Sequence, residues 1–383
     1  MPLHFTTDEF TSRRHALQQR LQAEELDGIL IFRQESMFYL TGFDTFGYVF
    51  FQCLYIGADG DLFLLTRRPD LLQAQLTSDI QEIHVWVDGD DADPATDLKK
   101  LLVARKLQGK RLGVEYDAYG LTAKNGLRLR AVLEDFCDLP DASMLVSRQR
   151  LVKSPAELVF VRRAAELADD ALDEAHRLAA PGADEGEILA AMQGAVFRGG
   201  GDYPGNEFII GSGPQALLVR YAAGRRRLDA QDQLTLEFAG VYRHYHACLM
   251  RTVLLGTVPQ RQRDMHKAAV GAMQACIETI KPGRTFGQVF DAHAKAMDDA
   301  GFRDARLNAC GYSLGTTFAP NWMDWPMLYR NNPVELRPGI VLFLHMILVD
   351  GETRLAMNPG QTVIVTETGC EVLSRHSLDL MVK

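Results

Sequence analysis

The densest group of side chains able to do chemistry lies between Asn206 and Thr252. Glu237 follows an apolar run and precedes the small residues Ala239-Gly240, which read as a turn, so it is expected at the end of a buried strand. A carboxylate taken out of water is costly unless it is paired. Glu237 is therefore either salt-bridged to one of the nearby arginines or a general acid or base with a raised pKa. If residues 244–252 form a strand, its side chains alternate, and His244, His246, Cys248 and Met250 share one face. Two histidines so spaced can bind zinc with a further ligand. With no second cluster beside them, they read more readily as satisfied polar residues than as ligands.

The elements that must position these groups fall into two blocks. Over the first ~145 residues helical and strand patterns alternate. Residues 8–26, Asp97–Leu107 and Leu121–Leu133 read as helices. Gly28–Phe32, Phe50–Ile56, Leu62–Thr66, Glu82–Val87 and Arg111–Tyr116 read as strands. The pattern is that of an α/β layer domain. Asp138–Val152 reads as a linker, after which Ser154-Pro155-Ala156-Glu157 opens a long helix with a capping box. Further helices are expected near 155–179, 184–199, 259–280 and 286–300, the last announced by Thr285-Phe286-Gly287-Gln288. Strand patterns at Glu207–Ser212, Gln233–Phe238, Tyr245–Leu255, Ile340–Val349 and Thr362–Thr366 flank them. Such blocks indicate α+β architecture. The domains expected are 1–147 and 148–383.

A net charge of −9, spread along the chain, argues against nucleic acid as a partner, since phosphate binding needs a basic surface. The one basic run is Arg225-Arg226-Arg227. The first 25 residues lack an apolar signal core, and no apolar run approaches the ~20 residues needed to span a membrane. Six dispersed cysteines form no C-x-x-C pair. Reduced thiols and a cytoplasmic location away from membranes are the expectation.

The segments 206–256 and 310–370 resemble the catalytic half of the pita-bread superfamily, which includes methionine aminopeptidase, aminopeptidase P, prolidase and creatinase. The resemblance implies a creatinase-type N-terminal domain and a pita-bread catalytic domain. In the metal-dependent members two aspartates, a histidine and two glutamates hold a dinuclear metal. Matched from Arg251-Thr252, from Tyr312-Ser313-Leu314-Gly315 and from Pro338-Gly339-Ile340, those positions here hold Glu237, Cys248, Tyr312, His345 and Gly360. The substrate-side histidines of the peptidases are replaced by Arg220 and Ala319. Two bridged divalent ions need several hard oxygen ligands, so the expectation is no metal and no cofactor. Within the superfamily the chain is most similar to the ectoine hydrolases, through Asn206–Gly213, Arg220-Tyr221 with Gly224-Arg225-Arg226, Glu237–Gly240, Tyr245-His246-Ala247, Gly311–Gly315 and Pro320-Asn321-Trp322.

That resemblance implies a metal-independent hydrolase opening the ring of a small zwitterionic cyclic amidine. Glu237 would pair with the amidinium and take the proton of the attacking water. His246 or His345 would relay a proton to the leaving nitrogen. Arg220, or a member of Arg225–Arg227, would bind the substrate carboxylate. Trp322 and Tyr312 would wall the pocket, Trp322 stacking on the cation, with Cys248 beside the substrate. The alternatives are an Xaa-Pro metallopeptidase, a creatinase-like amidinohydrolase and an inactive binding homologue. Family likeness also implies a homodimer, with Phe46, Tyr48 and Gln52 at the border of the partner's pocket.

Overall fold

The computed structural model describes residues 3–220 and 225–383. Tyr221 and Gly224 lie outside the described residues. The chain forms two compact units, Met1–Arg150 and Leu151–Lys383.

The N-terminal unit is built on a mixed five-stranded sheet of order β4-β3-β2-β1-β5. Its strands are β1 (Gly28–Ile31), β2 (Cys53–Gly57), β3 (Leu62–Arg67), β4 (Ile83–Trp86) and β5 (Leu112–Val114). Six helices accompany them: α1 (Thr7–Ala23), α2 (Gln34–Thr41), α3 (Leu71–Thr77), α4 (Pro94–Ala104), α5 (Ala123–Leu133) and α6 (Leu145–Arg150). Two apolar clusters form its core, one containing Leu17, Ile29 and Leu54, the other Leu30, Phe63 and Leu129.

Helix α2 escapes the sequence reading because its cap is remote. The buried Glu115 carboxylate, after β5, accepts from the Phe32 and Arg33 amides at 3.2 and 2.9 Å and from the Ser36 hydroxyl at 2.7 Å. The stretch read as a linker is not a loose connection: Leu145, Val146, Ser147 and Arg150 of α6 are buried. Two of the three residues assigned to a partner border are also buried. Tyr48 lies inside, and the Gln52 amide donates to Gln34 Oε1 at 2.8 Å. Phe46 stands in solvent, as do Val49 and Phe50.

The C-terminal unit carries helices α7 (Pro155–Leu178), α8 (Glu185–Arg198), α9 (Gln260–Thr279) and α10 (Phe286–Asp299). Capping boxes start α7 at Ser154/Glu157 and α10 at Thr285/Gln288, as the sequence indicates. A nine-stranded sheet backs them. Its strands include β6 (Ile209–Ser212), β7 (Asp232–Tyr242), β8 (Tyr245–Leu255), β9 (Ala309–Ser313), β10 (Asp324–Tyr329) and β11 (Val341–His345). After the short ribbon β12 (Leu348–Asp350) and β13 (Leu355–Met357) comes β14 (Gly360–Val365). The main path of the sheet runs β10-β9-β11-β14-β8-β7-β6, and every pairing along it is antiparallel.

Strand β7 does not turn after Glu237. It runs on through Ala239-Gly240 to Tyr242, and Gly240 has a different purpose. A Cβ there would stand 1.9 Å from the Ala164 carbonyl and 2.4 Å from the Ala168 amide of α7. Glycine thus lets the helix lie directly on the strand, close packing that any side chain would forbid. The turn falls at Arg243-His244, both with positive φ (50° and 64°), as a two-residue hairpin requires, although neither residue signals a turn. Packing supplies what the sequence lacks: His244 stacks on Phe318 at 4.1 Å, and the Arg243 guanidinium lies 5.0 Å over the Phe160 ring.

Candidate active site

Three positions singled out by sequence matching, Glu237, Gly360 and His345, lie in one row across the sheet, with Met250 between the first two. Glu237 of β7 pairs with Met250 of β8, Met250 with Gly360 of β14, and Gly360 with His345 of β11. Tyr312 of β9 pairs with Phe343, two residues before His345, and so joins the same face. Gly240 and the helices are on the opposite face, since 237 and 240 differ by an odd number along the strand.

This face opens into a cavity of about 120 Å³ lined by Glu237, Tyr312, Trp322, His345, Arg220 and Asn206 among others. The rest of the lining is apolar, with Ile209, Met323, Met327 and Ile347. The volume is well below the ~300–1,000 Å³ of sites for drug-sized ligands, so the occupant is small. A larger hollow, about 670 Å³, borders Arg130, Glu134 and Cys137 in the N-terminal unit. It is a surface groove whose carboxylates Glu134, Asp135 and Asp138 stay in solvent, so it offers no comparable chemistry.

Among the described residues, Glu237 is the one carboxylate in the cavity wall. Burial pushes its pKa up to about 7, against the opposing pull of the Arg220 cation and of a hydrogen bond from Tyr312. The Tyr312 hydroxyl donates to Glu237 Oε1 at 3.4 Å and accepts the Trp322 indole N–H at 2.8 Å. Indole, phenol and carboxyl thus form a directed chain, because an indole only donates and a carboxylate only accepts. His345 is buried, its Nδ1 has no hydrogen-bond partner, and burial lowers its pKa to about 4. It is a neutral imidazole at physiological pH.

Three expected residues are placed elsewhere. His246 shares the strand face of Glu237 but does not line the cavity. Its Nδ1 faces the His244 carbonyl at 2.9 Å and its Nε2 accepts the Gly205 amide at 2.8 Å. Burial holds its pKa down at about 3, and both ring nitrogens are engaged by backbone groups. Cys248 is fully buried outside the cavity, its thiol pKa pushed well up by desolvation and by neighbouring Glu237. Arg225 is exposed and does not line the cavity. Of its neighbours, Arg226 is tied to Asp229 and Asp232, and Arg227 bonds the Gly182 carbonyl. Sequence reading gave no role to Asn206 or to Met323 and Met327, which β10 and the turn before it bring to the wall. The apolar character of the two methionines carries no chemical signature, and Asn206 is one polar residue among many in its segment.

The donor set does not fit a dinuclear metal. Only one of the five matched positions offers a carboxylate. Gly360 has no room for another: a Cβ there would stand 2.9 Å from Met250 Cβ and from Phe343 Cζ. The Phe343 ring fills that volume. Among the described residues no group of three or more His, Cys, Asp or Glu side chains could share a metal ion. Among the described residues, too, no helix is long and apolar enough to cross a membrane.

Comparison with known proteins agrees with this architecture. The profile of metallopeptidase family M24 matches residues 160–367, and that of the creatinase/prolidase N-terminal domain matches residues 13–152. An uncharacterized hydrolase/peptidase of Sinorhizobium fredii is 28% identical, over 100% of this chain and 99% of its own. The ectoine hydrolase of Halomonas elongata is 26% identical, again over 100% and 99%. Among solved structures, an Xaa-Pro dipeptidase from Bacillus anthracis superposes with a TM-score of 0.85 at 20% identity, covering 98% of this chain and 100% of the other.

Proposed function

The chain belongs to metallopeptidase family M24, a family of hydrolases, and from that premise we propose that it hydrolyses a C–N bond of a small zwitterionic amidine without a metal, with ectoine as the substrate. The observation that carries this reading is a lone buried carboxylate, Glu237, with a pKa of about 7, in a small cavity that also holds the Arg220 guanidinium.

An amidinium is already cationic, so its carbon accepts a nucleophile without a Lewis acid. The reaction needs a base for the water and an acid for the departing nitrogen. Glu237 as carboxylate pairs with an amidinium N–H and takes a proton from the attacking water. The water oxygen bonds to the amidinium carbon, giving a neutral tetrahedral species and a protonated Glu237. Collapse to the amide carbonyl breaks one C–N bond, and the departing amine takes both the Glu237 proton and the hydroxyl proton, leaving as an ammonium ion. Glu237 returns to carboxylate, and the product is an acetylated diamino acid. Its pKa near 7 suits both halves of this cycle. Arg220 takes the substrate carboxylate, Trp322 faces the planar cation, and neutral His345 orients the water. The Halomonas relative supports this choice of substrate. The replaced ligand positions weigh against the peptidase reading, whose chemistry runs through the metal pair.

The test is a panel of ectoine, hydroxyectoine, creatine and an Xaa-Pro dipeptide, followed by NMR, with metal content measured before and after chelator dialysis. Ectoine consumption that survives chelation is expected. Xaa-Pro cleavage requiring stoichiometric metal would overturn the proposal.

A further inference from the structure

We infer that His246 is a positioning residue that sets the Trp322–Tyr312–Glu237 chain through its neutral imidazole. The inference rests on the reading of Glu237 as the group that moves the proton. A carbonyl only accepts, so the 2.9 Å contact with the His244 carbonyl fixes the proton on Nδ1. Nε2 is then the unprotonated nitrogen, and it receives the Gly205 amide at 2.8 Å.

The Gly205 bond ends beside Asn206 of the cavity wall, and the His244 carbonyl also holds Thr317, which precedes Trp322 of that wall. Gly205 lies against the turn carrying Trp322: a Cβ on it would be 2.8 Å from the Asn321 carbonyl and 2.9 Å from the Trp322 amide nitrogen. The next residue, Asn206, lines the cavity and accepts the Trp322 amide in a long bond of 3.4 Å. On the other side, the Thr317 hydroxyl lies 3.1 Å from His246 Nδ1 and 3.4 Å from the Trp322 carbonyl. The Thr317 amide donates to the same His244 carbonyl that takes the Nδ1 proton. One imidazole therefore ties the hairpin turn, the Gly205 loop and the Thr317–Trp322 loop together. Trp322 leaves that junction with its indole aimed at Tyr312. A doubly protonated ring could not accept the Gly205 amide, so only the neutral form makes this junction.

Three variants separate positioning from proton relay. His246→Gln keeps an acceptor at the Nε2 position, His246→Asn keeps only the donor at Nδ1, and His246→Leu keeps neither. The readouts are amidine turnover and the indole N–H resonances of ¹⁵N-tryptophan-labelled protein. Trp86, bonded to the Phe51 carbonyl in the N-terminal unit, is the internal control. Leu and Asn variants are expected to shift the Trp322 resonance, leave Trp86 in place, and lose about 100-fold in kcat with KM little changed. The Gln variant is expected to restore the Trp322 resonance and to keep kcat within about fivefold of wild type. An unmoved Trp322 resonance in His246→Leu, or a Gln variant as inactive as Leu, overturns the inference. If His246→Leu disturbs Trp86 as well, Thr317→Val decides: a smaller Trp322 shift supports the junction and none refutes it. The resonance readout needs no substrate. A wild type inert toward every amidine would therefore refute the proposed function while leaving the role of His246 to be read from the spectra.

Discussion

Replacing Glu237 by Gln should stabilise the protein at high pH while abolishing turnover. Burial raises the carboxyl from its ordinary 4.5 to about 7. In the unfolded chain the group releases its proton near 4.5, whereas the folded chain holds it to about 7. Between those values the folded state binds more protons, so stability falls as pH rises. Below 4.5 both states are protonated and Glu237 has no net cost. Above 7 the cost is complete, about 3 kcal/mol at 1.36 kcal/mol per tenfold change in proton affinity. Gln keeps the shape without the charge and escapes that cost. For a unit the size of Leu151–Lys383 this corresponds to a melting temperature higher by roughly 6–12 °C at pH 8. The assay is calorimetry of wild type and variant at pH 4.5 and pH 8.5. Coincident melting at the lower pH and a higher Tm for the variant at the upper one are expected. Equal or lower melting of the variant at pH 8.5 would refute the premise that the fold holds this carboxylate against its solvation.

The pH dependence of kcat/KM should show an acid limb near 7, where free Glu237 becomes carboxylate, and the limb in kcat should lie lower because the bound cation favours the ionised form. Tyr312→Phe removes the donor to Glu237 and the acceptor of the Trp322 N–H. It should move the kcat/KM limb upward and cost about 1–3 kcal/mol of stability, read by urea titration. Arg220→Gln should raise KM for a carboxylate-bearing amidine by roughly 10–100-fold and leave Trp322 fluorescence unchanged without ligand. Gly360→Ala should cost about 1–3 kcal/mol from overpacking against Met250 and Phe343, measured by thermal melting.

Much of this site was legible because strand periodicity and a carboxylate in an apolar run are local signals. The burial of Glu237 and the capping boxes at Ser154 and Thr285 follow from such signals. Other features depend on partners far along the chain. Alternation put His246 on the face of Glu237, but a strand face does not tell which part is open and which is roofed by loops. The Gly205 and Thr317 segments cover His246, and neither is adjacent to it in sequence. Ala239-Gly240 imitated a turn because small residues also serve helix-on-strand contact. Helix α2 was missed because its capping carboxylate, Glu115, lies some eighty residues away. The methionines of the cavity wall had no signature beyond being apolar.

The Phe343 ring beside Gly360 also ties two positions of the sheet together. Any carboxylate placed at position 360 would collide with that ring, so it requires shrinking Phe343 first. Shrinking Phe343 alone would open a void in the sheet face and destabilise the fold. Either change alone is thus a loss of stability. The fold thus couples positions 343 and 360: a larger side chain enters at one only where the other gives way.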